Sequence, residues 1–284
     1  MKAPPFAYAR PKSLAEAFDL LHSHGDDARV LAGGQSLLAA LNMRLSAPRL
    51  LVDITRIPGL SGIQRAGNKI TIGALTTHAE IERSPVIARA APLLAQAAPH
   101  IAHAAIRNSG TIGGSIALAD PAAEWPACCV VLDATFVLAG KKGRRRVRAR
   151  EFFHDLYATA LKSAEVLTAV EIPVPQAGSR SVFLELTRRR GDYAMAGVAA
   201  VAKAARGALS DVRLAYLGVG RTPLLARKAM AAIEGKPLSA AAIKSAQDAL
   251  AGDLDPDGDV YSAPATKLHY ARVLTRRALE ALNG

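Results

Sequence analysis

The chain has 284 residues, of which 50% are hydrophobic, so it can bury a substantial core, and its length favours about two domains. Lys and Arg outnumber Asp and Glu by 36 to 24, which favours a polyanionic partner such as nucleic acid, a phosphorylated cofactor or an acidic protein surface. The two cysteines, Cys128 and Cys129, are adjacent. They exclude a disulfide framework and are too few to hold an iron–sulfur cluster within this chain.

No segment has the pattern of a targeting or membrane sequence. The N-terminal segment lacks the apolar core of a signal peptide, and no stretch is long and apolar enough to span a bilayer. We therefore predict a cytoplasmic protein without a transmembrane segment.

The first part of the chain alternates predicted strands with predicted helices. Ser13 is placed to cap the first helix, and Gly25 is placed to end it. The pair Gly33-Gly34 lies between a buried strand and the next helix. Predicted strands cover residues 6–8, 29–31, 50–54 and 69–72, and predicted helices cover residues 14–24, 37–45, 78–81 and 87–106.

The second part begins with a glycine-rich turn over residues 107–115 and continues with a hairpin around residues 140–143. A helix is predicted to begin at Pro121. Pro173, Pro175 and Gly178 indicate a domain boundary near residue 177, followed by a sheet with helices. Predicted strands cover residues 130–138, 144–147, 166–172, 183–187, 194–203 and 211–218, and predicted helices cover residues 224–233, 240–251 and 265–282.

Both glycine turns have features of a ligand-binding loop. Glycine after a strand permits positive φ and brings backbone N–H groups close to a ligand, and a helix N-terminus beside it favours an anion. Two such turns suit one pyrophosphate, whereas a single glycine pair is better explained as a tight connection. Neither turn has the spaced G-x-G-x-x-G or G-x-x-x-x-G-K-[ST] pattern. Flanking side-chain amides, such as those of Gln35 and Asn108, together with flanking hydroxyls suit a dinucleotide such as FAD.

Four ordered motifs resemble one known family. They are Ala32-Gly33-Gly34-Gln35-Ser36-Leu37, Ile72-Gly73-Ala74-Leu75-Thr76-Thr77-His78, Arg107-Asn108-Ser109-Gly110-Thr111-Ile112-Gly113-Gly114-Ser115 and Ala119-Asp120-Pro121-Ala122-Ala123-Glu124. Over nearly its whole length the chain resembles the medium, flavin-carrying subunit of the carbon monoxide dehydrogenase and xanthine dehydrogenase family.

The resemblance implies an α+β fold with two domains. Residues 1–177 would form a two-part FAD-binding domain of the vanillyl-alcohol-oxidase-like type, with subdomains of about 1–56 and 57–177. Residues 178–284 would form a C-terminal domain made of a small antiparallel sheet with helices.

The resemblance also implies a set of cofactor-binding residues, but no catalytic acid or base. The two turns would contact the FAD pyrophosphate and ribityl chain, Asp120 and Glu124 would accept hydrogen bonds from flavin or sugar hydroxyls, and Tyr193 would lie near the isoalloxazine ring. The two carboxylates are alternatively helix N-terminal charges, and Tyr193 is alternatively an ordinary strand-end residue. The predicted cofactor-binding residues are Ala32, Gly33, Gly34, Gln35, Ser36, Leu37, Thr76, Thr111, Gly113, Gly114, Ser115, Asp120, Glu124 and Tyr193.

Two positions depart from the common family pattern. Gln35 stands where histidine is frequent, and Ser115 stands where asparagine is frequent. Both retain hydrogen-bonding side chains, so FAD binding is still expected, although these two contacts differ in detail.

The resemblance implies an FAD-carrying electron-transfer subunit of a molybdenum hydroxylase. It would take electrons from iron–sulfur clusters of a small partner subunit, beside a large subunit with the molybdenum cofactor, in a dimer of heterotrimers. It would pass the electrons to an external acceptor. The alternatives are a self-contained FAD-dependent oxidase with its own substrate pocket, and a basic nucleic-acid-binding or scaffold protein without flavin. The substrate and the final acceptor stay open.

Three further patterns are interpreted as structural. Residues 141–150 contain seven basic residues but little aromatic interleaving, which is typical of a solvated hairpin tip rather than a nucleic-acid site. His100 and His103 share a face of a predicted helix without a nearby Cys, Asp or Glu, so we predict no metal site. Trp125 is expected in the core beside Pro126 and Cys128.

Overall fold

The computed structural model describes residues 2–205 and 207–284. Its first region is a three-stranded parallel sheet with two helices. The elements are β1 (Ala7–Ala9), α1 (Leu14–His24), β2 (Ala28–Leu31), α2 (Leu37–Asn42) and β3 (Leu50–Asp53). Strand β3 is central and pairs with β1 and β2, so the carboxyl ends of all three strands meet at one edge. In open sheets with parallel strands, ligands bind outside that edge.

The second region is a five-stranded antiparallel sheet in the order β4-β5-β10-β6-β7, packed against a group of short helices. Phe136, Phe152 and Trp125 are fully buried in this core. The elements are β4 (Ile63–Ala66), β5 (Lys69–Gly73), α3 (His78–Arg83), α4 (Pro85–Ala90), α5 (Pro92–Ala97), α6 (Ala104–Arg107), α7 (Ile112–Leu118), α8 (Glu124–Val131), β6 (Thr135–Gly140), β7 (Gly143–Arg148), β8 (Phe153–Asp155), β9 (Ala158–Thr159) and β10 (Val166–Pro173).

The third region is a four-stranded antiparallel sheet that is covered on both faces. The elements are β11 (Ser179–Leu186), β12 (Ala196–Ala205), β13 (Ala208–Leu217), β14 (Leu224–Leu225), α9 (Arg227–Ile233), α10 (Ala240–Ala249) and α11 (Pro264–Asn283). Along β12, Val198 and Ala200 face the three helices, whereas Ala199 and Val201 face the second region. The predicted α+β fold with a C-terminal antiparallel sheet and helices is confirmed.

The apolar run before the basic hairpin was expected to be a strand from residue 130, and that prediction is wrong. Helix α8 continues to Val131, and β6 begins only at Thr135, after a turn in which Asp133 has a φ of 53°. All eight residues of α8 are buried, so the run has no periodicity that separates a helix from a strand. The predicted helix start at Pro121 is also wrong, because α8 begins at Glu124.

The predicted continuous helix over residues 87–106 is wrong as well. It is divided into α4, α5 and α6 with a 3-10 turn between α5 and α6, because Pro92 starts a new helix and Ala102 has a φ of 44°. His100 and His103 therefore do not share a helical face. At two other places the predicted helix is too long: α2 stops at Asn42, before Arg44 with a φ of 58°, and residues 224–225 are a short strand before α9.

The basic segment forms the predicted hairpin, since β6 pairs with β7 in antiparallel register. Several of its arginines make ion pairs with acids of the same region: Arg145 with Glu165 at 2.7 Å, Arg146 with Glu171 at 3.1 Å, and Arg150 with Asp133. Within residues 2–205 and 207–284, no helix has both the length and the apolarity needed to cross a bilayer.

Candidate functional site

The first glycine turn, residues 32–36, joins β2 to α2 and presents unpaired backbone donors. None of the N–H groups of Gly33, Gly34, Gln35 and Ser36 donates a hydrogen bond to another described residue. Gly34 has a φ of 72°, which favours glycine. The side-chain amide of Gln35 donates to the carbonyl of Gly33 at 3.0 Å, and its backbone N–H stays unpaired. Successive free N–H groups in a turn form a concave anion-binding surface. This turn therefore fits a phosphate group.

The second glycine turn leads into α7, and its N–H groups are mostly satisfied by the chain itself. The N–H of Ile112 donates to Thr76 at 3.0 Å, that of Gly113 donates to Ala74 at 2.9 Å, and that of Gly114 donates to the Thr111 hydroxyl at 3.1 Å. A Cβ on Gly113 would lie 2.5 Å from the Cβ of Ala74. Gly113 is thus required for close packing.

Thr111 and Thr76 differ in how many of their polar groups are free. The backbone N–H of Thr111 has no acceptor in the described part of the chain, although the residue is buried. The Thr76 hydroxyl donates to the carbonyl of Gly62 at 3.1 Å and accepts from its N–H at 3.0 Å. The Thr76 hydroxyl is therefore satisfied by Gly62, and its carbonyl supports the second turn by accepting from Ile112. Thr111, in contrast, keeps a backbone donor for a ligand.

The two glycine turns are in contact. A Cβ on Gly33 would collide with the carbonyl oxygen of Ser109 and would lie 2.8 Å from the Cα of Gly110. A Cβ on Gly114 would lie 3.9 Å from the Cβ of Ala32. The structure therefore brings together the two glycine turns that the sequence placed some 75 residues apart.

Asp53 anchors the edge of the parallel sheet from which the first turn leaves. This buried carboxylate accepts hydrogen bonds from the Tyr8 hydroxyl, from Arg10 Nε at 2.9 Å, and from the N–H and hydroxyl of Thr55 at 2.8 and 2.6 Å. Burial alone raises the pKa of Asp53, but the hydrogen bonds from Thr55, Tyr8 and Arg10 outweigh it and hold the pKa at about 2. Sequence reasoning did not assign this network.

Asp120 lies in the turn before α8, beside two tyrosines. Its Oδ1 accepts from the N–H of Ala122 at 2.9 Å, and the Tyr157 hydroxyl donates to Oδ2 at 3.4 Å. Tyr193 is 68% exposed, and partial burial of its ring, with Asp120 and Glu124 nearby, raises its pKa. The structure thus places Asp120 and Glu124 near Tyr193, and it adds Tyr157, which the sequence did not single out.

Glu124, the first residue of α8, is 9% exposed. Within the described residues, its carboxyl group has a hydrogen bond from its own backbone N–H and none from another residue. Burial, followed by the charges of Glu185 and Asp120, raises its pKa to about 8. Glu124 is therefore protonated at neutral pH, so it carries a proton to donate as well as oxygens that accept.

His78 and Trp125 form a buried pair next to the second turn. Trp125 Nε1 donates to His78 Nδ1 at 2.9 Å, and burial, with a smaller effect of Arg107, lowers the pKa of His78 to about 4. The imidazole is therefore neutral, with its proton on Nε2. A Cβ on Gly110 would lie 2.7 Å from that nitrogen, so glycine is needed there. Trp125 is in the core as expected.

Comparison with known proteins identifies both parts of the chain. Residues 4–175 match the family described as the FAD binding domain in molybdopterin dehydrogenase, and residues 181–282 match the CO dehydrogenase flavoprotein C-terminal domain.

Individual relatives match over almost the whole chain. The 6-hydroxypseudooxynicotine dehydrogenase complex subunit alpha of Paenarthrobacter nicotinovorans is 39% identical, covering 98% of this chain and 95% of its own. The carbon monoxide dehydrogenase medium chain of Hydrogenophaga pseudoflava is 38% identical, covering 99% and 98%. A solved structure of carbon monoxide dehydrogenase from that organism, lacking the Mo-pyranopterin moiety of its cofactor, superposes with a TM-score of 0.97 at 40% identity, covering 99% of this chain and 98% of that one.

The resemblance seen in the sequence motifs is thereby confirmed. The chain belongs to the family of FAD-binding medium subunits of molybdenum hydroxylases, and it is an oxidoreductase flavoprotein subunit with FAD as its cofactor.

Proposed function

We propose that this chain carries electrons on FAD within a multi-subunit molybdenum hydroxylase, taking them from iron–sulfur clusters of a partner subunit and passing them to an external acceptor. The observation that carries the proposal is the open row of backbone N–H groups at residues 33–36, in contact with the second glycine turn. A dinucleotide pyrophosphate is the anion that such a paired arrangement suits.

The cofactor-binding residues predicted from the sequence keep that role in the proposal. The first turn and the Thr111 N–H would hold the pyrophosphate, Asp120 and Glu124 would bond to flavin or sugar hydroxyls, and Tyr193 would lie near the isoalloxazine ring. FAD supplies the electron-accepting chemistry when it is bound, while the protein fixes its orientation and controls the access of water and protons. The other proposed contacts are Ala32, Leu37, Thr76, Gly113, Gly114 and Ser115, with Thr76 acting through its support of the second turn.

Within these 284 residues the only cysteines are Cys128 and Cys129, both fully buried, so the proposed clusters belong to another subunit. We propose a small iron–sulfur subunit and a large subunit with the molybdenum cofactor, assembled as a dimer of heterotrimers. The substrate of the complex and its final acceptor are left open. A cytoplasmic location, and a division into domains of residues 1–177 and 178–284, stay predictions.

Absorption spectroscopy of the protein purified from its native host, with identification of every chain that accompanies it, tests the proposal. We expect flavin bands together with an iron–sulfur chain and a large molybdenum chain. A chain that is colourless and takes up no added FAD would contradict it. Flavin reduction by a substrate in the isolated chain would instead favour the self-contained oxidase.

The ion pairs of the basic hairpin argue against the nucleic-acid alternative, because they occupy Arg145, Arg146 and Arg150.

A further inference from the structure

Residues 187–195, the Tyr193 loop, join β11 to β12. The base of this loop is closed, because Leu186 pairs with Ala196 and the N–H of Met195 donates to the carbonyl of Leu186 at 2.9 Å. Tyr193 itself is 68% exposed, so little of its side chain packs against the rest of the protein. The position of the Tyr193 ring relative to a bound flavin therefore depends on what holds the loop.

On one side, the Tyr193 loop packs against the second region through Gly191. This residue has a φ of 79°, which favours glycine. A Cβ on Gly191 would lie 2.8 Å from the carbonyl oxygen of Ala102 and 2.8 Å from the ring of His103, so the backbone of the loop lies directly against residues 102–103. This contact fixes the loop two residues before Tyr193.

On the other side, the loop contacts residues 253–263, a segment of the third region that precedes α11 and contains no helix or strand. The guanidinium of Arg188 lies over the ring of Tyr261, with 4.0 Å between Cζ and the ring centroid. At this distance a cation and an aromatic face attract each other. The Ser262 hydroxyl donates to Met195 Sδ at 3.9 Å. One segment therefore holds both ends of the Tyr193 loop.

The 253–263 segment is itself anchored to α11 by Asp259. Its Oδ1 accepts from the N–H of Tyr261 at 2.8 Å and from the N–H of Ser262 at 2.9 Å, and its Oδ2 pairs with Lys267 Nζ on α11 at 2.8 Å. The backbone of Tyr261 is thus fixed, whereas the residue is 66% exposed and contributes little to the core. Removal of its ring is therefore expected to act on the Tyr193 loop rather than on the fold.

We propose that Tyr261 is a positioning residue that keeps Tyr193 beside the flavin by holding Arg188, an inference that rests on the proposed function. While Arg188 lies over the Tyr261 ring, the loop presents Tyr193 to the isoalloxazine ring. When the ring of residue 261 is removed, the loop moves away from the flavin more often. An exposed cation–π contact is modest, so the equilibrium between the two loop positions shifts by about threefold.

Time-resolved fluorescence of bound FAD in the complex tests this role, because a tyrosine ring in contact with a flavin quenches its fluorescence. Tyr261→Leu should raise the fraction of FAD with a long lifetime about threefold. Tyr261→Phe keeps the ring and should match the wild type, as should the control Val260→Ala at the neighbouring, 89% exposed residue. An unchanged fraction in Tyr261→Leu would overturn the proposal. Absence of FAD from the wild-type complex would instead contradict the proposed function.

A double-mutant cycle shows whether Tyr261 acts through Tyr193. In a Tyr193→Leu background the quenching ring is already absent, so Tyr261→Leu should add no further rise. Arg188→Gln keeps the test valid if Tyr261→Leu does not fold, since it removes the cation and should raise the fraction to the same extent. Arg189→Gln, at the next arginine of the loop, is its matched control. A wild-type fraction in Arg188→Gln, or a further rise in the double variant, would contradict the proposal.

Discussion

The two glycine turns look alike in sequence, yet they use their glycines for different purposes. In the first turn the N–H groups of residues 33–36 are unpaired, so the turn is open to an anion. In the second turn the N–H groups of Ile112 and Gly113 bond to residues 76 and 74, and Gly113 lets helix α7 pack against Ala74. A glycine-rich motif therefore marks a close approach, but only the hydrogen bonds show whether the approach is to a ligand or to the chain itself.

The carboxyl groups beside the two turns differ in the same way. Asp53, at the strand end opposite the first turn, is held ionised by hydrogen bonds from Thr55, Tyr8 and Arg10. Glu124, after the second turn, is held protonated by burial and neighbouring acids. The carboxyl group beside the first turn, Asp53, is thus ionised, whereas the one after the second turn, Glu124, is neutral.

The largest effect on stability is expected from the protonated carboxyl group of Glu124. The pKa of Glu124 in the folded protein, about 8, lies above its usual value of 4.5, so the folded state holds the extra proton between these values and loses stability as pH rises through that window. The loss amounts to roughly 5 kcal/mol at most. Urea unfolding of Glu124→Gln from pH 5 to pH 8 should show a much flatter profile than the wild type. The exposed Glu151→Gln serves as the control; an unchanged profile in Glu124→Gln would contradict the assignment.

The packing role of the second turn is broken by Gly113→Ala. The new methyl group would lie 2.5 Å from the Ala74 Cβ and 2.7 Å from its carbonyl oxygen, so we expect a loss of about 3 kcal/mol. Gly114→Ala is the matched control on the same helix, because its methyl would meet side-chain atoms alone, the Thr111 hydroxyl at 2.9 Å and the Ala32 Cβ at 3.9 Å. Thermal or urea unfolding measures both. Equal stability of the two variants would show that Gly113 is not needed for packing.

The role of the ionised Asp53 is tested by measuring the stability of the protein at acid pH. The pKa of Asp53, about 2, lies below its usual value of 3.8, so its contribution is present above pH 3.8 and is lost as pH falls through 2. The contribution is roughly 2 kcal/mol. Unfolding free energies at pH 4 and pH 2 should differ less in Asp53→Asn than in the wild type. A variant with the full acid sensitivity of the wild type would show that Asp53 is not the group responsible.

The contact between the two turns is tested by Gly33→Ala. The added methyl would collide with the Ser109 carbonyl and push the turns apart, so FAD affinity should fall at least tenfold, about 1.4 kcal/mol. Gly67→Ala is the control for a glycine change elsewhere, since Gly67, which has a φ of 55°, lies in a remote turn with open space around it. FAD titration of both variants measures the effect. Equal FAD affinities of the two variants would show that the contact between the turns is not needed for cofactor binding.

Local patterns sufficed for much of this fold. The strands β12 and β13, the cap at Ser13, the basic hairpin and the positions of both glycine turns were predicted because each depends on neighbouring residues. Helix α8 was partly mistaken for a strand because burial on all sides removes periodicity. The breaks around α5 depend on Pro92 and on the positive φ of Ala102, and only the first of these is visible in a sequence.

The site was less predictable than the fold, because its chemistry depends on contacts between distant residues. The neutral state of Glu124 depends on its burial and, to a smaller extent, on Glu185 from another sheet, and the neutral state of His78 depends on burial beside Trp125. That the donors of the second turn are satisfied depends on residues 74–76, which lie more than 30 positions earlier. No spacing rule connects these positions.

Amide hydrogen–deuterium exchange of the chain with and without FAD tests the central claim most directly. The account predicts that the amides of residues 33–36 exchange rapidly without FAD and are protected when it binds, whereas those of Ile112 and Gly113 are protected in both states. Protection of residues 33–36 in the absence of FAD, or no change there on binding, would contradict the claim that the first turn holds the cofactor.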